Sequence, residues 1–427
     1  MEVVVPPAGQ LGLGNNRRPG TRLEILIVST RFPFPPHWGF GTRVYQLARE
    51  LAKRHDVTLL SAADGVDDDQ VEALRAELPV VVVRSGRAAQ IRSKRTRQLT
   101  ALVGRRSFHA DQFVSGGLQD AIDGLARERR FDVIQIESSL LGGLRFPREP
   151  RLVLDEHNIE YEVFRRMEAG ERSRARRAFY RHEHARFRPF EQQLWRRVHG
   201  CVVTSVREQE IVRTHAPATP CAVVANGVDV DYFRPSADEV EPNTLVFNGV
   251  LDYRPNLDAA LFLVDEVLPR VQAVVPGARL TIVGRGASSD LERLRKHPGV
   301  QVTGEVPDVR PYLAGSSVIV VPIRIGGGTR LKVVEGLAMG RPMVTTTLGC
   351  EGIDVDDGEH LVIRDEADAF AAAVVTLLAD PGRGIALGAA GRNLMEARYS
   401  WASAAERLAE LYGALVPGAV LAAGERA

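Results

Sequence analysis

The stretch richest in chemistry is 324–345, RIGGGTRLKVVEGLAMGRPMVT. A short apolar run, SVIVVP, precedes it, and a helical pattern follows its glycines. A Gly-rich turn between a strand and a helix bares backbone N–H groups at a helix N-terminus, where the dipole favours an anion. Gly326, Gly327 and Gly328 supply that turn, Thr329 adds a hydroxyl, and Arg330 and Lys332 place positive charge beside it. Glu335 falls one helical turn beyond Leu331, on the same face, where a carboxylate can take both hydroxyls of a ribose. Amides and cations for phosphates, with a carboxylate for the sugar, describe a site for a nucleoside diphosphate. A bare GGG would read as a tight turn with a surface ion pair; Thr, Arg, Lys and Glu in fixed register favour a ligand site. The segment is no Walker loop, because no Gly-Lys-Ser/Thr follows the glycines. Gly284-Arg285-Gly286 lacks the third glycine of a dinucleotide fingerprint, which disfavours a dehydrogenase.

The elements that must hold these residues read as alternating strands and helices. A buried strand at 24–29 (EILIVS) leads through a Pro- and Gly-rich loop into a helix at 42–54, with Val44, Leu47, Ala48 and Leu51 on one face. VTLLS, PVVVV, VIQI, LVL and CVVTS follow as short apolar runs. The pattern restarts near Thr244 with TLVFN, then a helix at 256–275, ARLTIVG, a helix at 289–296, VQVTG, SVIVVP, a helix at 331–339 and PMVTT. Helices at 366–379, 384–398 and 402–415 close the chain. Short β-branched runs separated by helices imply parallel sheets, so the expected fold class is α/β with two Rossmann-like units. Open parallel sheets bind ligands beyond the carboxyl ends of their strands, so a cleft between two facing sheets is the expected site.

The 427 residues carry 55 Lys and Arg against 54 Asp and Glu. The near-neutral total excludes a globally basic nucleic-acid binder and an acidic disordered chain, and no nucleic acid is expected as a partner. It also conceals an asymmetry: residues 1–226 hold 36 basic and 27 acidic residues, and 227–427 hold 19 and 27. The positive charge concentrates at 80–110, with eight Arg and Lys and no acid, and at 165–197, with eleven Arg and four Glu. Solvated faces are one reading of these stretches, and contact with an anionic membrane is another. No uncharged apolar run reaches the roughly 18 residues of a membrane span, so an integral membrane protein is not expected. Cys201, Cys221 and Cys350 lie far apart in sequence, which fits neither a disulfide framework nor a zinc site and implies a cytoplasmic protein. His182 and His184 are expected exposed in the Arg-rich stretch, and Asp67, Asp68 and Asp69 solvated in a polar loop. Residues 1–21 read as a disordered tail.

The segment at 324–345 resembles the donor-binding signature of glycosyltransferase family 4, retaining enzymes of the GT-B fold. Asn226-Gly227-Val228-Asp229 followed by Tyr232-Phe233 is similar to the family's linker into its donor domain. FNGVLDYRPNLDAA, which contains Gly249, RLTIVGRG, VQVTGEVPDV and YSWASAAERLAELY resemble later family segments. In the first half, residues 32–41 resemble the family's Gly-rich loop, and Asp155-Glu156-His157-Asn158 its His-bearing loop. The resemblance spans roughly 23–415 and is nearest to members that assemble bacterial exopolysaccharide or cell-surface glycan. It implies an N-terminal acceptor-side domain at 22–222, a donor domain at 223–398, a helix at 399–416 crossing back to the first domain, and a tail at 417–427.

The resemblance also assigns residues. Glu335 would hold the donor ribose. Gly326, Gly327, Gly328, Thr329, Arg330 and Leu331 would hold the diphosphate and sugar, and Glu305 and Val306 would contact the base. Gly39 and Gly41 would let the first-half loop approach the phosphates, and His157 would reach the donor sugar. Two departures stand out. The family's first Glu, eight residues before Glu335, is Gly327 here, and its Arg and Lys after the first donor strand are Val250 and Pro255. Arg254, Arg285, Arg330 and Lys332 are the replacements on offer, and Arg330 and Lys332 are favoured because they flank the phosphate turn. The function implied is transfer of a sugar from a nucleoside-diphosphate sugar to a glycan, lipid-linked or small-molecule acceptor, with retention at the anomeric carbon. Two alternatives keep the same fold: a nucleotide-sugar 2-epimerase, and a non-catalytic nucleotide-sugar-binding member. No Asp-x-Asp stands at a plausible strand end, so neither a metal nor another cofactor is expected.

Overall fold

Parallel strands covered on both faces bury nearly every side chain, and the apolar runs of this sequence do so in two sheets. The computed structural model describes residues 2–4, 22–36, 39–84, 107–109, 113, 116–171, 173–236, 240–286, 289–326 and 330–416. The chain divides into two compact units, Met1–Ala225 with Trp401–Ala427, and Asn226–Ser400.

In the first unit Glu2–Val4 (β1), Glu24–Ser29 (β2), Asp56–Ala62 (β3), Val80–Arg84 (β4), Val133–Glu137 (β5), Arg151–Glu156 (β6), Gly200–Val203 (β7) and Cys221–Val223 (β8) form one sheet. Its order is β1-β4-β3-β2-β5-β6-β7-β8. The helices here are Gly39–Ala52 (α1), Asp68–Arg75 (α2), Gly116–Glu128 (α3), Glu160–Gly170 (α4), Arg174–Arg197 (α5) and Val206–His215 (α6). α1 lays Val44, Leu47, Ala48 and Leu51 on the core, the spacing of an amphipathic helix, and begins at Gly39 rather than at residue 42.

The second unit holds Thr244–Asn248 (β9), Arg279–Val283 (β10), Val300–Gly304 (β11), Val318–Val321 (β12), Met343–Thr345 (β13) and Val362–Ile363 (β14) in the order β11-β10-β9-β12-β13-β14, all parallel. Its helices are Arg254–Phe262 (α7), Leu268–Val274 (α8), Ser289–Arg295 (α9), Arg310–Gly315 (α10), Leu331–Ala338 (α11), Ala367–Ala379 (α12) and Pro381–Arg398 (α13). Between α7 and α8 the helix widens into a π turn at Leu263–Val267. Pro269 just beyond has no N–H for the carbonyl four residues back, and the widening absorbs that break. The last helix, Trp401–Leu415 (α14), belongs to the first unit and buries Trp401, Ala405, Leu408, Leu411 and Tyr412.

Two expectations need correction. Glu2–Val4 is not disordered: it pairs antiparallel with β4, Val3 opposite Val83, closing a sheet edge that would otherwise stay open. The rest of 1–21, like 417–427, lies outside the described residues. Asp68 and Asp69 open α2 instead of lying in a loop, because carboxylates suit a helix N-terminus; Asp68 also pairs with Arg84 at 2.6 Å. Cys201 and Cys221, distant in sequence, are register partners on β7 and β8, and both are free thiols. Among the described residues no single helix is long and apolar enough to cross a membrane.

The first unit's core contains one full charge pair. Arg43 of α1, 1% exposed, gives Nε and Nη2 to the two oxygens of Asp155 at 3.0 Å each, and Nη1 to Val224 O at 2.9 Å. A buried pair broken on one side leaves an uncompensated charge, at a cost of roughly 3–5 kcal/mol. Arg43→Met is therefore expected to lower the unfolding free energy by that order in urea titrations, with Arg43→Met/Asp155→Leu recovering most of the loss.

Candidate functional site

In the second unit the chain order reverses beside β9, which has β10 on one side and β12 on the other. Loops leaving such neighbours part, and ligands bind in the opening at the carboxyl edge. The residues that meet there come from the ends of β9 and β12 and from the start of α11. Lys332, the second residue of α11, reaches back so that Nζ donates to Asn248 O and to Asn256 Oδ1, both at 2.7 Å, and lies 4.5 Å from the centroid of the Phe247 ring. Asn256, on α7, also donates Nδ2 to Val250 O at 2.9 Å, which braces the loop after β9. Asn248 Oδ1 is buried with no hydrogen-bond partner among the described residues, an acceptor open to a donor from a ligand.

Gly249 makes room for this arrangement. A Cβ there would lie 2.6 Å from Lys332 Nζ and 2.8 Å from the Asn256 side chain. Beneath it, backbone meets backbone: Gly249 N donates to Val283 O at 2.9 Å and Leu251 N to Arg285 O at 2.7 Å. Gly284, at φ +152°, would put a Cβ 2.0 Å from Gly249 O, so no other residue fits without moving the strand ends apart.

Burial dominates the electrostatics. It drives the Lys332 ammonium down to about 7, helped by the nearby Arg330 and opposed by Glu335. It drives Glu335 up to about 7 against the pull of Lys332. Arg330 occupies the capping position of α11, and a Cβ on Gly326 would lie 3.4 Å from its Nη2. The structure therefore gathers Gly249, Gly326, Arg330, Leu331, Lys332 and Glu335 at one strand edge. Gly327, Gly328 and Thr329 lie outside the described residues. Arg254 opens α7 and Arg285 follows β10, both exposed; Glu305, exposed, and Val306, half-buried, follow β11 along the same edge. Sequence reasoning missed Asn256, although an Asn directly after Pro255 at a helix start was the available signal.

The first unit has its own reversal, at β2 between β3 and β5. Gly39 and Gly41 stand at the start of α1, Gly39 exposed and Gly41 buried. Phe40 between them stacks on the His157 ring with centroids 4.4 Å apart and 27° between planes. His157 follows β6 and sets Nε2 2.7 Å from Glu137 Oε2 at the end of β5. Gln135 Nε2 donates to Glu137 Oε1 at 2.6 Å, and Tyr412 Oη donates to Gln135 Oε1. Glu137, Asp155 and His157 bring ligand-type atoms within 4.8 Å of one another. Yet Asp155 is engaged by Arg43 and Glu137 by Gln135 and His157, so the trio forms a hydrogen-bonded network rather than an open donor set.

Behind it lies a second group of carboxylates. Glu156 takes Trp195 Nε1 at 2.8 Å and Ser139 N at 3.3 Å, and Glu191 takes Ser139 Oγ at 2.8 Å and the N–H groups of Glu160 and Tyr161 at the start of α4. Burial and repulsion from Glu191 push Glu156 well up, burial and repulsion from Glu160 push Glu191 up to about 8, and burial lifts Glu160 to about 7. Two expectations fail on α5. His184 Nδ1 lies 2.9 Å from Tyr161 O, and His182 is half-buried with Nε2 enclosed, so neither is a surface histidine. They flank Glu183, which α5 carries inward with Phe187 and Glu191.

Two family models match the chain: "Glycosyltransferase Family 4" over residues 39–232 and "Glycosyl transferases group 1" over 242–380. A GDP-mannose-dependent monoacylated alpha-(1-6)-phosphatidylinositol monomannoside mannosyltransferase of Corynebacterium glutamicum is 32% identical over 44% of this chain, and the match spans 54% of that relative. The glycogen synthase of Mycobacterium tuberculosis is 27% identical over 91% of this chain and 94% of its own. Among solved structures, the sucrose-phosphate synthase of Thermosynechococcus elongatus superposes with a TM-score of 0.67 at 20% identity, covering 92% of this chain and 99% of that one.

A lysine held near 7 by burial makes anion binding sensitive to pH. An arriving phosphate favours the charged ammonium, so the affinity for UDP or GDP is expected to fall as pH rises from 7 to 9. Calorimetry at several pH values should show that slope in the wild type and a flatter profile in Lys332→Met.

Proposed function

The chain belongs to glycosyltransferase family 4, with the GT-B pairing of two Rossmann-like units, and from that premise we propose that it transfers a sugar from a nucleoside-diphosphate sugar, with retention, to a glycan or lipid-linked acceptor. The observation that carries this reading is the cluster of Arg330, Lys332 and Glu335 at the reversal beside β9, where α11 begins.

The chemistry follows from charge. As the bond between the anomeric carbon and the phosphate oxygen breaks, negative charge grows on the departing diphosphate. Arg330, Lys332 and the free N–H groups at the start of α11 meet that charge, and they stabilise it more as it develops than in the ground state. Partial desolvation of Lys332 strengthens the attraction. Glu335 takes the ribose hydroxyls. In the retaining path the acceptor hydroxyl attacks the face from which the diphosphate leaves and passes its proton to a diphosphate oxygen, so no protein nucleophile is needed. His157, on the first unit, meets a hydroxyl of the reacting sugars.

Glu335→Ala and Arg330→Ala should each weaken UDP or GDP binding by about 1.5–3 kcal/mol, roughly 10- to 150-fold. Unchanged affinity in both variants removes the assigned site. Mass spectrometry of products from a panel of nucleotide sugars names the donor.

The acceptor side of the reading places the first unit against an anionic membrane surface, at the cytoplasmic face. Every arginine of α5 is exposed, while its two glutamates are buried. Trp195 and Phe187 of the same helix are fully buried in the core and add no apolar contact. The basic stretch at 80–110 lies almost wholly outside the described residues. The association is therefore electrostatic, at about 1 kcal/mol per engaged arginine within a Debye length of about 8 Å. In co-sedimentation the protein should bind vesicles containing phosphatidylserine at low salt, release at high salt, and ignore neutral vesicles.

A further inference from the structure

Gln135 and Glu137 sit on the same face of a central strand, 0% and 1% exposed, where polar side chains persist only if partnered. The reading above uses neither. Their partners make a single chain of hydrogen bonds. Tyr412 on α14 donates to Gln135 Oε1, Gln135 Nε2 donates to Glu137 Oε1 at 2.6 Å, and Glu137 Oε2 lies 2.7 Å from His157 Nε2. Burial, with Glu137 and Asp155 nearby, pushes the Tyr412 phenol well up, which keeps it a donor. Its proton directs the Gln135 carbonyl toward α14 and the Gln135 amide toward Glu137. A carboxylate only accepts, so the hydrogen between Glu137 and His157 belongs to Nε2. With that hydrogen on Nε2, the neutral form of the ring has its lone pair on Nδ1, the nitrogen for which no hydrogen bond is formed among the described residues. Phe40, stacked on the ring face, limits its rotation. Arg43 and Asp155 neutralise each other beside this chain.

We propose that Glu137, braced by Gln135 and Tyr412, is a positioning residue that fixes the tautomer and orientation of His157, so that Nδ1 accepts a hydrogen bond from a hydroxyl of the bound sugar or acceptor. The inference rests on the transferase reading for its substrate, but its physical core is a property of the free protein. An orienting carboxylate sets which imidazole nitrogen faces the ligand, and for metal-bound histidines losing such a partner costs roughly 10–100-fold, which sets the scale expected of Glu137.

Two measurements test it together. Long-range proton–nitrogen spectra of the full chain labelled with 15N-histidine should show His157, assigned through His157→Ala, as the Nε2–H tautomer. Glu137→Gln should shift that signal toward a tautomer mixture. In sugar-transfer assays with the donor found by product analysis, Glu137→Gln should lower kcat by about 10–100-fold with KM for the nucleotide sugar little changed. It should cause no further loss in a His157→Ala background. Tyr412→Phe, which keeps the ring and drops one hydrogen bond, should lower kcat by about two- to tenfold in the same direction, and it carries the test if Glu137→Gln fails to fold. A His157 signal unmoved in both variants, or losses that multiply in the His157→Ala background, overturns the proposal. A wild-type protein that transfers no sugar from any nucleotide sugar overturns the transferase reading instead, while the tautomer spectra still decide the role of Glu137.

Discussion

Arg43 and Asp155 are both sealed from water, and the two oxygens of one carboxylate take two nitrogens of one guanidinium. Such a pair survives burial only with its geometry complete, and completing it constrains three separate pieces of chain. α1 must present Arg43 at a fixed height, β6 must end with Asp155 facing it, and Val224 must bring its carbonyl to the third nitrogen. The helix start that follows from the first demand carries Phe40, and the strand end that follows from the second carries His157. The stacking of these two rings is therefore set by an interaction that touches no substrate.

The second unit reaches a comparable result with a different balance. Its buried cation, Lys332, has no carboxylate at hydrogen-bonding distance among the described residues; it rests on a main-chain carbonyl and an amide oxygen. Neutral acceptors leave its charge partly unmet, which is why burial can depress it to about 7. The first unit closes its charge pair within the core, whereas the second keeps a cation whose charge suits the proposed phosphate-bearing donor. The missing family lysine at Pro255 also finds an account here, since Lys332 reaches the loop after β9 from another helix.

The parallel sheets and the helix α11, with Arg330 and Lys332 at its start and Glu335 a turn beyond, were legible in the sequence because their signals are local: apolar runs and charges at helical spacing. What escaped notice depends on contacts far apart in the chain. VIQI reads as an ordinary strand until Tyr412 arrives to satisfy Gln135, and the buried face of the Arg-rich stretch, with Trp195 and Phe187, shows only once α4 is packed against it. Glu2–Val4 carries no periodicity of its own and becomes a strand only because β4 offers an edge. Asn256 could have been suspected from its place after Pro255, but its grip on Lys332 crosses 76 residues.

The second unit begins at Asn226 and ends at Ser400, and the chain comes in and goes out side by side, with Val228 N donating to Tyr399 O at 2.7 Å and bridging to Ser400. Topologically it is an insertion, threaded into the first unit between β8 and α14. On a ribosome the inserted unit has all its strands before the host is complete. The host must wait for α14, because Gln135 and Tyr412 are separated by 277 residues. Until α14 is made, its central strand holds a buried amide without its phenol, so that helix is the step that closes the polar core around His157.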